Sequence, residues 1–96
     1  MEIPSELDGA SVIHITKNSL ENTFGYIGFV DDKRNLIDTI DITAVAICRY
    51  DGSVECYLFS CGINWEVIGD KVYDTIEDAK KSAMNSHNVK EEDWIF

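Results

Sequence analysis

Residues 44–68, AVAICRY-DG-SVECYLFSC-GI-NWEVI, are the most apolar part of the chain, and their reading decides the fold. Tyr50 and Ser53 flank Asp51-Gly52, and an Asp-Gly pair favours the type I′ turn whose twist suits a tight hairpin. Closing that turn sets Arg49 opposite Val54, Ile47 opposite Cys56, Val45 opposite Leu58 and Ala44 opposite Phe59. Side chains alternate across a strand, so one face gathers Val45, Ile47, Val54, Cys56 and Leu58. The other gathers Ala44, Ala46, Cys48 and Tyr50 with Glu55, Tyr57 and Phe59. Two largely apolar faces predict a central hairpin covered on each side. The stretch is a structural centre and holds no catalytic arrangement.

Toward the N-terminus, residues 1–9 (MEIPSELDG) carry the only proline and read as a leading segment. Ser11–Thr16 alternates well enough for a first strand. Phe24–Val30 (FGYIGFV) is aromatic and β-branched and reads as a second, with Gly25 and Gly28 as candidate bulge sites. Asp31–Asn35 is a hairpin loop, and Leu36–Ile40 returns as a third strand. The central hairpin supplies two more, and Trp65–Ile68 a sixth.

Residues 74–87 form the one convincing helix. Asp74 or Thr75 can cap it, and Glu77 and Asp78 sit in the first turn, where the dipole favours acids. Ile76, Ala79, Ala83 and Met84 make its apolar stripe, and Glu77 and Lys81 are spaced to pair. The tail ends in Trp94, Ile95 and Phe96, which should dock. The expectation is a single α+β domain over 1–96: a mostly antiparallel sheet of about six strands with one C-terminal helix packed on a face.

Composition narrows the function. The 96 residues include 18 acidic against 8 basic, a formal charge of −10. That field repels phosphate backbones and anionic membranes and attracts basic partners. The spacing of Cys48, Cys56 and Cys61 fits no zinc or redox pattern, and the register puts Cys48 and Cys56 on opposite faces, so all three read as reduced, buried hydrophobes. No segment has the length or flanks of a signal peptide or membrane span, which predicts a cytoplasmic protein.

Candidate chemistry is sparse. His14 and His87 have no acid or cysteine at catalytic or metal-ligand spacing, and no cation or base stands beside Cys61 to activate it. Asp31-Asp32-Lys33-Arg34-Asn35 has two cations where a calcium loop needs ligands. FGYIGFV resembles a base-stacking strand in composition, but few basic residues accompany it, so its aromatics are expected in the core. The sequence predicts a protein that is not an enzyme, needs no cofactor or metal, and binds nucleic acid no more than it binds membrane.

From Ala44 onward the order AVAICRY, YLFSC, NWEVIGD and DTIEDAKK, with the opening IPSELDGASVI, resembles small bacterial immunity proteins of contact-dependent growth inhibition and polymorphic toxin systems. Residues 17–41 take no part in it. The resemblance implies that the chain binds a cognate toxin C-terminal domain, such as a basic nuclease, and occludes its substrate cleft. Contacts are then expected from acids at loops and strand ends: Asp31, Asp32, Asp51, Glu55, Glu66 and Asp70, with Tyr50 as an aromatic anchor. The alternative is an acidic interaction module or nucleic-acid mimic unrelated to toxins.

Overall fold

A computed structural model describes residues 3–96; Met1 and Glu2, at the start of the leading segment, lie outside it. Seven strands form: β1 (Glu6–Leu7), β2 (Ala10–Ile15), β3 (Tyr26–Val30), β4 (Leu36–Asp41), β5 (Ala44–Arg49), β6 (Cys56–Cys61) and β7 (Val67–Tyr73). One helix, α1 (Ile76–His87), follows, and a single 3-10 turn spans Glu91–Asp93. The strands divide between a five-stranded antiparallel sheet, in the order β1-β2-β5-β6-β7, and a separate β3–β4 ribbon. The α+β expectation holds, with seven strands in two sheets instead of about six in one.

The central hairpin forms with its register slipped by two residues. Ala44 lies opposite Cys61, Ala46 opposite Phe59 and Cys48 opposite Tyr57. The loop is longer than a two-residue turn: the Ser53 N–H donates to the Tyr50 carbonyl across Asp51-Gly52, at 3.1 Å. Ser53 Oγ then engages the N–H and carbonyl of Glu55, both at 3.3 Å. Gly52 takes φ +78, which glycine enters without strain. Val54 and Glu55 therefore leave the strand, and Val54 is 84% exposed. A slip of two keeps every other side chain on its expected face.

One face carries Val45, Ile47, Cys56 and Leu58 beneath Ala79 and Ala83 of α1, with Phe24, Ile42 and Val89 completing the cluster. The two alanines, fully buried, let the helix lie close to the sheet. Thr75 caps α1 by accepting from the Asp78 N–H at 3.1 Å, and Asn88 closes it in the left-handed conformation. Met84 falls outside the buried stripe at 54% exposed. Glu77 and Lys81 do not pair; the ion pair of the described residues joins Lys80 to Glu91 at 3.2 Å.

The opposite face gathers Leu7, Ala10, Ile15, Ala44, Ala46, Cys48, Phe59 and Cys61, bordered by Tyr50, Tyr57, Trp65 and Val67. All of these belong to the sheet or its turns, so large side chains close over small ones without a second helix. Phe59 has no exposed surface, and burying such a side chain contributes about 1.5–3 kcal/mol.

Other boundaries moved for local reasons. Leu7 is buried and paired to Ala10, so residues 1–9 include a strand as well as a leading segment. Trp65 sits at φ +65 in the turn after Gly62, and β7 starts at Val67 and runs to Tyr73. The irregularity in the β3–β4 ribbon falls between Phe29 and Val30, at neither Gly25 nor Gly28. The tail docks along the β2 edge, where Thr16 bridges Trp94 and the Ile95 N–H donates to the Ile15 carbonyl at 2.7 Å. Among the described residues no helix is long and apolar enough to cross a membrane.

Candidate functional site: an exposed arm and the cleft at its base

The β3–β4 ribbon is the element that the fold leaves uncovered. Ile42 donates to the Gly25 carbonyl at 2.9 Å to close its base, and only Ile27 leans onto the main core. Gly69 of β7 makes room there, since an added Cβ would come within 3.0 Å of Ile27. Tyr26 beside it is 61% exposed, and toward the tip Phe29 is 44%, Val30 58%, Leu36 60% and Ile37 64%. β3 and β4 pair only with each other, so both outer edges are open. The aromatics expected in the core thus divide: Phe24 is buried, while Tyr26 and Phe29 face solvent.

Asp31 and Asp32 sit at the arm's tip. The Asp31 carboxylate accepts from the backbone N–H groups of Lys33 and Asn35, at 2.8 and 2.9 Å. These bonds, that of Asn35 foremost, hold its pKa below the ordinary carboxylate value. Arg34 takes φ +64 to close the turn. Asp31 therefore shapes the tip, and Asp32 stands exposed beside it.

The remaining expected contacts are scattered. Tyr50, Asp51 and Glu55 lie in and beside the β5–β6 loop, at the opposite end of β6 from the turn that carries Glu66. Tyr50 is half-buried; its hydroxyl donates to the Asp8 carbonyl at 3.1 Å, and its ring stands edge-on to Tyr57 at 5.2 Å. Desolvation, then the charge of Asp8, push its hydroxyl pKa up. It fastens the β1–β2 turn and does not project as a free anchor. Asp70 is exposed on β7 opposite Phe59, on the face that Tyr57 shares. Glu66 folds back over Gly62 and accepts from the Asn64 N–H at 3.1 Å.

Glu66 nonetheless helps to line a cleft of about 300 Å³ between the arm's base and the β6–β7 turn, with Leu20, Ile40, Asp41, Thr43 and Ile63. Of these six residues, only Glu66 was marked by its charge and position in the sequence. The other five carried no signal of their own in the sequence, because the cleft forms only where the base of the arm meets the β6–β7 turn.

One further arrangement has the parts of a nucleophile and a base. Ser60 Oγ lies 3.4 Å from His87 Nε2, and His87 Nδ1 lies 3.2 Å from the Phe24 carbonyl oxygen. With the proton on Nδ1, His87 donates to that carbonyl and Nε2 can accept from Ser60. A main-chain carbonyl stands where a triad would place a carboxylate. The pair ties the C-terminal end of α1 to β6 and to the residues that lead into the arm, which is a sufficient account of it.

The thiols are equally quiet. Cys48, Cys56 and Cys61 are free and buried. Burial pushes Cys48 and Cys61 up to about 12, and Cys56 upward too, so none is poised as a thiolate. Among the described residues no group of three or more His, Cys, Asp or Glu side chains could hold a metal ion. No family model, curated protein or solved structure matches the chain.

Proposed function

We propose that this chain is a cytoplasmic, non-catalytic immunity protein that binds a cognate toxin domain, a basic nuclease, and blocks its substrate cleft. The observation that carries this reading is the β3–β4 arm. An isolated two-stranded ribbon is marginal in water, and this one exposes large apolar side chains along both strands. A partner that covers them gains their burial. The formal charge of −10 selects a partner of positive field, and a cleft built to hold phosphates has one. Of the motif residues that resemble immunity proteins, Cys48, Phe59 and Ala79 are buried and Tyr57, Trp65 and Ile76 half-buried, which suits a scaffold that carries its specificity elsewhere.

The test mixes the purified protein with the product of the adjacent upstream gene and measures binding at low and high salt. Tight binding that weakens with salt, together with growth rescue of cells expressing that toxin, supports the reading. Binding without rescue would move the protein to the acidic interaction modules. If no neighbouring product binds, the immunity reading fails.

A further inference from the structure

We propose that the cleft at the base of the arm receives one lysine or arginine side chain of the protein partner. The inference rests on the reading above only in taking that partner to be basic. The aliphatic walls are half open to solvent: Leu20 is 71% exposed, Ile40 37% and Ile63 36%. They suit the methylene stem of a long cationic side chain, which buries its carbons and keeps its head polar. Asp41 and Glu66 are the charged residues of the lining, and both are negative. One Glu66 oxygen is held by the Asn64 N–H at 3.1 Å, so the carboxylate is positioned in advance.

Thr43 supplies the independent observation. It lines the cleft yet is only 2% exposed, and its Oγ1 has no hydrogen-bond partner among the described residues. Its main chain is fully engaged: the N–H donates to the Cys61 carbonyl at 2.9 Å, and its carbonyl accepts from Ser19 N–H at 3.1 Å and Asn22 Nδ2 at 2.7 Å. The main chain of Thr43 is thus held in place, while its buried hydroxyl beside the cleft is left unsatisfied, which costs stability. An ammonium or guanidinium would find two carboxylates and this hydroxyl as acceptors. An uncharged apolar segment would desolvate both carboxylates without pairing them. A second copy of the chain would bring another −10 to the same surface.

The experiment follows backbone amide NMR signals during titration with acetyl-lysine amide and acetyl-arginine amide, with acetyl-norleucine amide as the uncharged match. The cationic probes should shift Leu20, Asp41, Thr43 and Glu66 together and saturate at about 1–10 mM. The norleucine probe should not. Asp41→Asn with Glu66→Gln should abolish saturation, and Thr43→Val should weaken it about 3- to 10-fold. Glu6→Gln, exposed on β1 at the other edge of the sheet, should leave it unchanged. Shifts spread over all surface acids, no saturation, or a double variant that binds like the wild type would overturn the proposal. No toxin enters this assay, so the cleft can succeed where the immunity reading fails. A toxin that binds the double variant at full strength would overturn the cleft and leave the immunity reading standing.

Discussion

Phe24 and Phe29 belong to the same seven-residue run, FGYIGFV, and the structure gives them opposite work. Phe24 is 4% exposed in the cluster with Val45, Ile47 and Leu58, whereas Phe29 is 44% exposed on the arm. Truncating Phe24 to alanine removes a buried ring and leaves a cavity, which costs about 3–5 kcal/mol. A domain this small has only about 5–15 kcal/mol in total. At about 4–8 °C per kcal/mol, Tm should fall by about 12–40 °C. Phe29→Ala loses roughly half of the burial of a phenylalanine, about 1 kcal/mol, and Tm should fall by about 4–8 °C.

Binding should reverse that order. If the arm enters the partner, Phe29→Ala should cost about 2 kcal/mol or more in affinity, roughly 30-fold, chiefly through faster dissociation. Phe24→Ala, measured where it is still folded, should bind within about threefold of the wild type. Urea and thermal unfolding followed by circular dichroism give the first comparison, and a surface carrying the proposed partner gives the second. Equal destabilisation by the two variants would show that the arm folds down onto the core, and the argument from its exposure would collapse.

The buried thiols should make stability fall in alkali. Cys48 and Cys61 ionise near 12 in the folded chain against an ordinary 9.0, so between those values the unfolded chain has released protons that the folded one retains. Stability should be at its full value below pH 9.0 and decline from there toward about 12. The decline should flatten in Cys48→Ala with Cys61→Ala, and parallel curves for variant and wild type would exclude the thiols as its source. On the helix, Ala83→Leu should overpack the seam with β5 and β6 and cost about 1–3 kcal/mol, while exposed Lys81→Ala should change stability by about 0.5 kcal/mol or less. Equal urea midpoints for these two variants would mean that α1 is not packed as described.

The central hairpin was legible because its errors were of a forgiving kind. Asp51-Gly52 marks where the chain turns, but Ser53 and its contacts with Glu55 lengthen the loop, which sequence composition does not reveal. The slip is an even number of residues, so Val45, Ile47 and Leu58 still meet the helix, and Cys48 and Cys56 still lie on opposite faces. An odd slip would have exchanged the faces and misplaced the helix with them. The cap was legible to within one residue, as Asp74 or Thr75, and Ala79 and Ala83 as the buried spacing, because helix signals are local; Met84, at the edge of the stripe, was not. The start of β7 was less so: Trp65 reads as a strand residue by propensity, and the turn after Gly62 overrides that preference.

The arm was illegible for a different reason, and the same reason gives it its interest. FGYIGFV and LIDTI are strands by any local measure, and an apolar strand is expected to find cover. Cover is a property of the whole chain. The single helix spans β5, β6 and β7, the tail lies along the β2 edge, and little remains to shelter Tyr26, Phe29, Leu36 or Ile37. The scattered acids stand out in the sequence by charge alone, and in the structure Asp31 shapes its own turn while Asp51 and Asp70 are exposed. A residue that departs from the core's rule carries more information than one that obeys the surface's. By that criterion the exposed apolar arm, with the unsatisfied Thr43 hydroxyl beside Asp41 and Glu66 at its base, outranks every isolated carboxylate on the molecule.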